Sequence, residues 1–237
     1  MFAVGGMLVS VLCAGPAFLF RGTQARRFGQ NLIRGLFRFF IGYLRRCGLL
    51  KFEVDELSGL AGRRGLIVVA NHPGLLDAVL MVSRLPQAVC LMKGSLARNL
   101  IFSGTARLAG YVHNQSGFGL VKKCAERLRE EMNLLVFPEG TRSVDGKLLP
   151  FKMGFALAAT ATRSPVQTVF ITANSNYLGK GWPLFQRPPL PLRYSLRLGR
   201  CFQPAPGMDA KAFGTLVEKY FRETLARADA AGSSMPE

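Results

Sequence analysis

Acidic residues are scarce and unevenly placed. Against 31 lysines and arginines the 237-residue chain has 14 aspartates and glutamates, and none precedes Glu53. The formal net charge of +17 asks for an anionic partner, either nucleic acid or an acidic membrane surface. Charge is sparse overall, 19% of residues against 49% apolar, which excludes a disordered chain and predicts one buried core. Cysteine is also sparse. Cys13, Cys47, Cys90, Cys124 and Cys201 are odd in number, form no CxxC pair and follow no metal-ligand spacing. That excludes a disulfide framework and fits reduced thiols in a cytosol-facing protein. There are two histidines, His72 and His113, no GxSxG nucleophile elbow and no internal repeat.

What is present begins at the N-terminus. Residues 3–20 (AVGGMLVSVLCAGPAFLF) carry no charge and are long enough to cross about 30 Å of hydrocarbon as a helix. Gly15-Pro16 would kink such a helix, so shallow or re-entrant insertion is the alternative to a span. A cleavable signal peptide fits poorly, because no lysine or arginine precedes the apolar run. Arg21, Arg26, Arg27, Arg34, Arg38, Arg45 and Arg46 all follow it, which predicts that the remainder stays on the cytosolic side of the inner membrane. Residues 28–46 read as a second helix with Leu32, Ile33, Leu36, Phe37, Phe40 and Leu44 at helical spacing. Arginines among aromatics predict an interfacial helix on an anionic membrane; a core-packing helix with solvated arginines is the alternative.

From about Lys51 onward short apolar runs alternate with amphipathic stretches. Residues 65–70, 88–92, 134–137 and 166–173 read as strands, and 194–198 as a strand near an edge. Residues 76–84, 118–132 and 154–163 read as helices. Continuous apolar strands separated by helices predict an α/β fold, with a mostly parallel central sheet flanked by helices and preceded by a two-helix membrane anchor. The expected divisions are an anchor at 1–50, the α/β domain at 51–229 and a disordered tail at 230–237. Residues 179–191 form a Pro-rich loop, and Asp209 is placed to cap a last helix with Phe213, Leu216, Val217, Tyr220 and Leu225 on its apolar face.

Two segments carry chemistry. Strand 65–70 runs into Asn71-His72-Pro73-Gly74-Leu75-Leu76-Asp77, and the end of a parallel strand is where such folds place ligands. The Pro73-Gly74 turn can bring Asp77 back to His72, fixing the imidazole tautomer and leaving the other nitrogen free for a proton. Strand 134–137 runs into Pro138-Glu139-Gly140-Thr141-Arg142-Ser143, where Arg142 and the backbone amides at Gly140 and Thr141 could hold a phosphate. Taken singly, the first segment is also read as a structural His–Asp pair and the second as a turn with an Arg–Glu pair.

Together NHPGLLD and FPEGTRS resemble the NHxxxxD and FPEGTR motifs of the glycerolipid acyltransferases typified by 1-acylglycerol-3-phosphate acyltransferase, in the same order and at a similar separation. Weaker echoes are Met92-Lys93, the stretch Phe151-Lys152-Met153-Gly154, and Ser164-Pro165-Val166. The resemblance implies acyl transfer from an acyl thioester, either acyl-ACP or acyl-CoA, to a lyso-lipid hydroxyl, with neither metal nor cofactor. It implies His72 as general base, Asp77 as its orienting carboxylate, and Glu139, Gly140, Thr141 and Arg142 as the acceptor-binding loop, with Lys93 adding charge. The sequence departs from the family at Asn114, where an arginine for the acceptor's phosphate is expected, so a non-phosphate lyso-aminolipid or pigment lipid stays open. His113 beside it reads as a strand-end or packing residue. A nucleic-acid module fits less well, because the densest basic stretch lies within the expected anchor. A non-catalytic lipid-binding protein with the same pocket is the remaining alternative.

Overall fold

The computed structural model describes residues 22–92, 108–113, 118–143, 147–175, 177–182 and 186–232. In chain order the elements are α1 (Thr23–Arg46), β1 (Leu50–Asp55), a 3-10 turn (Leu57–Leu60), β2 (Ile67–Ala70), α2 (Leu76–Arg84), β3 (Ala88–Met92), β4 (Val112–His113), α3 (Phe118–Arg129), β5 (Asn133–Val136), α4 (Gly154–Thr162), β6 (Val166–Ala173), β7 (Leu192–Phe202) and α5 (Ala210–Gly232). The strands form one seven-stranded sheet in the order β1-β7-β6-β2-β5-β3-β4. Strands β6, β2, β5, β3 and β4 run parallel, whereas β7 is antiparallel to β6 and carries β1 alongside it in its own direction.

The sheet is covered on both faces, which explains its unbroken apolar runs. All four residues of β2 are 0% exposed, each side chain adding about 1.5–3 kcal/mol when fully buried, with Ala70 contributing less. Val68 and Ala70 face a core shared with Ile33 and Ile41 of α1 and Leu76 and Leu80 of α2. Ile67 and Val69 face the opposite core, with Leu120 of α3, Phe155 of α4, and Phe213, Val217 and Phe221 of α5. Parallel neighbours β2 and β5 end together, so the segments that follow them emerge side by side at one end of the sheet.

Helix α1 departs from its expected setting. The apolar face assigned to lipid lies largely against the domain: Ile33 and Ile41 are buried, and Leu32, Phe37, Phe40 and Leu44 pack against the same core. The cause is geometric, since without α1 that face of the sheet would stay wet. Gly29 permits the close approach, because a Cβ there would come within 2.4 Å of Leu108 Cγ. Gln30 Nε2 donates to the Ala109 carbonyl at 2.9 Å. Phe28, Phe39 and Tyr43 are the aromatics left exposed, Phe39 at 77%. No helix among the described residues is long and apolar enough to cross a membrane, and the expected first anchor segment at 3–20 lies outside them.

At the other terminus, Asp209 Oδ2 accepts the Ala212 N–H at 2.9 Å, as a cap should. Phe213 and Val217 are buried as expected, but Leu216 is 45% exposed and Phe221 is buried instead. The helix continues to Gly232, past Ala230 where a disordered tail was expected. Cys47, Cys90, Cys124 and Cys201 are free thiols. Burial pushes Cys90 up to about 12 against a partly offsetting Tyr111 hydrogen bond, so it stays a protonated packing residue.

Candidate active site

The site is assembled from the chain after β2. Asn71, one residue past the strand, pairs with β6 through its side chain. Its Nδ2 donates to the Ile171 carbonyl and its Oδ1 accepts the Ile171 N–H, both at 2.8 Å. This extends the ladder by one side chain and frees the backbone at His72 to turn. Gly74 then brings the chain within reach of residues 177–178, since a Cβ on it would lie 2.8 Å from the Tyr177 carbonyl oxygen. Helix α2 starts two residues later, which puts Asp77 in its first turn, facing back at the loop.

Asp77 is completely buried. Its Oδ2 lies 3.0 Å from His72 Nδ1 and accepts the Gly74 N–H at 2.6 Å. An ionised carboxylate can only accept, so Nδ1 carries a proton and the unprotonated electron pair of the neutral imidazole resides on Nε2. Burial pushes the Asp77 carboxyl up, while the hydrogen bond and charge of His72 and the Gly74 amide pull it partly back. The imidazole stacks on Phe137, ring centroids 4.1 Å apart and 22° from parallel, and its side chain is 14% exposed. The ring is thus gripped on one nitrogen and one face, with access left to small reacting groups.

The segment after β5 closes on the same point. Glu139, 3% exposed, accepts the His72 N–H on Oε1 at 2.9 Å, and on Oε2 the Ser143 hydroxyl at 2.9 Å and the Leu149 N–H at 3.0 Å. Ser143 N–H in turn donates to the His72 carbonyl at 2.8 Å. Both backbone groups of His72 are therefore held by the loop. Glu139 was expected to bind acceptor; its carboxylate faces inward instead, because three protein donors converge on it.

Gly140, at φ 66°, lets the Lys152 side chain lie across the loop, where a Cβ would come 2.9 Å from Nζ. That ammonium is the functional candidate that motif reading missed; its one signal was its place in the echo after FPEGTR. Thr141 sits half-buried at the loop tip. Arg142 was expected to grip a phosphate, yet its Nη1 donates to the Leu178 carbonyl at 2.7 Å and the Gly179 carbonyl at 3.0 Å. Lys93 and Asn114 lie outside the described residues. His113 ends β4, its buried Nδ1 without a hydrogen-bond partner among the described residues and its pKa lowered by burial and by Lys123. No group of three or more metal-ligating side chains gathers among the described residues.

The arrangement is a hydrogen-bonded His–Asp base at a strand end, beside a loop that brings Lys152 and Arg142 near it, the Gly140 N–H being given to the Phe137 carbonyl at 3.0 Å. A family model described as Acyltransferase matches residues 51–172. Human 1-acyl-sn-glycerol-3-phosphate acyltransferase beta is 28% identical over 151 residues, which cover 60% of this chain and 51% of that protein. The mouse alpha enzyme of the same name is 28% identical over 198 residues, 79% of this chain and 66% of its own length. The Helicobacter pylori 1-acyl-sn-glycerol-3-phosphate acyltransferase is 30% identical over 112 residues, 44% of this chain and 47% of its own. The chain thus spans about half to two-thirds of these curated relatives. The crystal structure of the 1-acyl-sn-glycerophosphate acyltransferase from Thermotoga maritima shares the fold at a TM-score of 0.67 and 21% identity, with 100% of both chains covered. With NHPGLLD and FPEGTRS both inside the matched region and locked together in space, the chain belongs to the acyltransferase family.

Proposed function

We propose that this protein transfers a fatty acyl group from an acyl thioester to the hydroxyl of a lyso-lipid, with 1-acylglycerol-3-phosphate as the leading acceptor. The observation that carries the reading is the His72 imidazole, bound through Nδ1 to a buried Asp77 and through its backbone to Glu139. Nε2 takes the proton of the acceptor hydroxyl as its oxygen attacks the thioester carbonyl. The tetrahedral adduct collapses, the C–S bond breaks, and the departing sulfur takes the proton back from the imidazolium. A thioester is already activated, so one base and correct positioning suffice. The donor is an acyl carrier protein or coenzyme A thioester.

Lys152, Arg142 and the Thr141 amide are the groups placed to receive an acceptor phosphate, with Lys93 assigned to the same role by resemblance; the Gly140 N–H is already given to the Phe137 carbonyl at 3.0 Å. The protein works at an anionic membrane surface, on the cytosolic side of the inner membrane. Supporting this are the charge-free residues 3–20 and the outer face of α1, where Phe28, Phe39 and Tyr43 stand among Arg38, Arg45 and Arg46.

A second reading is a lyso-lipid without a phosphomonoester. It is favoured by Asn114 at the place of an expected arginine and by the Arg142 nitrogen already engaged with two carbonyls. Purified protein supplied with acyl-ACP or acyl-CoA and a panel of lyso-lipids separates the two. Lysophosphatidate turning over fastest supports the first; a lyso-aminolipid or pigment lipid turning over fastest supports the second. Binding of every lipid with transfer to none would overturn both in favour of a lipid-binding protein.

A further inference from the structure

The arginines of α1 fall into two groups. In its first half they are engaged: Arg26 and Arg27 meet Glu130 and Glu131, and Arg34 donates to the Arg84 carbonyl. In its second half Arg38, Arg45 and Arg46 are exposed and form no ion pair among the described residues. Arg45 and Arg46, with Lys51 of β1, line a concavity of about 540 Å³ whose other walls are Gly42, Leu50 and Phe52. Arg45 also lies over the Phe52 ring, 5.6 Å from its centroid. Cations at a helix C-terminus ordinarily answer its dipole. Here the carbonyls of Tyr43, Leu44 and Arg45 are already filled by the Cys47, Leu49 and Gly48 amides, and Lys51 belongs to a strand.

The surroundings leave these cations unbalanced. No acid precedes Glu53 and none lies between Asp145 and Asp209, and the fold joins these two stretches, the Leu192 N–H donating to the Leu49 carbonyl at 2.9 Å. Glu53 itself turns to Arg193, at 3.9 Å. Apolar side chains stand nearby. Phe39 and Tyr43 share a face of α1 with Arg46 by their spacing and are 77% and 50% exposed, and Leu190, just before Leu192, is 57% exposed. Leu50 pairs with Leu192, and Tyr194 with Ala173 at the end of β6. The concavity therefore lies at the end of the sheet where β2 delivers His72, three strands or about 14 Å to the side.

We propose that this concavity binds the phosphodiester headgroup of an anionic membrane lipid, at a site separate from the acceptor loop after β5. Arg45, Arg46 and Lys51 receive the phosphate, while Phe39, Tyr43 and Leu190 enter the apolar layer beside it. A free phosphate would leave those exposed apolar groups without a purpose. The site deepens the proposed membrane role, replacing diffuse attraction with one held headgroup that sets the active-site end of the sheet against the bilayer. It does not depend on His72 being the base.

The test uses the full chain and dihexanoyl phosphatidylglycerol below its micelle-forming concentration, where no charged surface exists to attract the protein. Calorimetric titration should show saturable binding, with dihexanoyl phosphatidylcholine at least about tenfold weaker. Arg46→Gln and Lys51→Gln should each weaken the phosphatidylglycerol about tenfold, the effect of losing one charge-assisted hydrogen bond. Arg38→Gln removes the same charge from the same helix outside the lining and should leave binding within about twofold. His72→Ala should bind as the unaltered protein does. Thermal melts confirm that each variant is folded; should Arg46→Gln fail, Lys51→Gln, an exposed strand position, decides alone. Equal losses in Arg38→Gln and Arg46→Gln, or no saturable binding of the monomeric lipid, would reduce the feature to diffuse charge and overturn the site. Competition by inorganic phosphate or coenzyme A as strong as the lipid itself would overturn the lipid assignment. No arm requires turnover. Lipid binding without acyl transfer rejects the acyl-transfer reading and keeps this site, and acyl transfer without such binding does the reverse.

Discussion

The backbone N–H of His72 donates to Glu139 Oε1 at 2.9 Å across 67 residues of sequence. This bond makes one object of two motifs that are separate in the chain. It also gives Glu139 a role different from ligand binding, since its second oxygen is filled by Ser143 and Leu149.

Replacing Glu139 by alanine would leave the His72 amide, the Ser143 hydroxyl and the Leu149 amide without their acceptor. Each buried unsatisfied donor costs about 1–3 kcal/mol, so the urea midpoint should fall by an amount equivalent to roughly 3 kcal/mol or more. Activity should fall with it. An unchanged midpoint with a raised acceptor KM would return Glu139 to the binding surface.

His72→Ala removes the base and one aromatic contact with Phe137. Turnover should drop by about 10²–10⁴-fold, the usual range for general acid–base catalysis, while the far-UV circular dichroism stays the same. Initial rates on lysophosphatidate check it, and near-normal turnover in folded protein sinks the assignment.

Asp77→Asn should separate activity from stability. Burial raises the folded-state pKa of Asp77 above its ordinary value of 3.8, so its ionised form is disfavoured by folding. Its contribution to stability is fully present below the unfolded pKa and is lost as pH rises through the folded one. At neutral pH the neutral amide should therefore leave Tm equal or higher, while turnover collapses for want of the charge that holds the imidazolium. Rates in the unaltered protein should also fall in acid as Asp77 takes a proton. A lower Tm for Asp77→Asn at pH 7 would contradict this account.

Glu130 works in the opposite sense. Burial alone would raise its carboxyl, but hydrogen bonds from Arg26 and Thr23 and the charges of Arg26 and Arg127 hold it below 4.5. This cluster ties the start of α1 to the end of α3. Its contribution should be present above about pH 4.5 and disappear as pH falls through the depressed folded value. Thermal melts of Glu130→Gln should lack that part of the acid limb, and an identical limb in both proteins would rule it out.

Membrane binding is tested on α1. Arg34 donates to the Arg84 carbonyl at 3.1 Å and so belongs to the fold; Arg38, Arg45 and Arg46 are the exposed cations. Changing these three to glutamine should weaken binding to anionic vesicles by roughly 1 kcal/mol per charge at low salt. Vesicle sedimentation that shows equal binding to neutral and anionic lipid would remove the electrostatic part.

How much was legible without coordinates follows from the range of each interaction. β2, β5 and β6 declare themselves as short apolar runs because both faces of each strand are buried, a property of each residue's own side chain. The placing of His72 and Arg142 after strand ends follows from those runs, and Asp77 lies in the first turn of the helix that comes next. β1 (LKFEVD) alternates cleanly, but it lies at the sheet edge against β7, 142 residues away at Ser195, and such a pairing leaves little local trace. The reversed direction of β7 is equally silent, since a strand's own pattern does not say which way its neighbour runs.

The amino-acid sequence by itself therefore determined the family, the His–Asp pair and the mostly parallel core, because these rest on residue identity at short spacing. Tertiary structure alone decided which side of α1 meets the domain, that Glu139 faces His72, and that Arg142 reaches Leu178 across 36 residues. An amphipathic face, a carboxylate or a guanidinium has several chemically acceptable partners, and only the folded chain brings one of them within hydrogen-bonding distance.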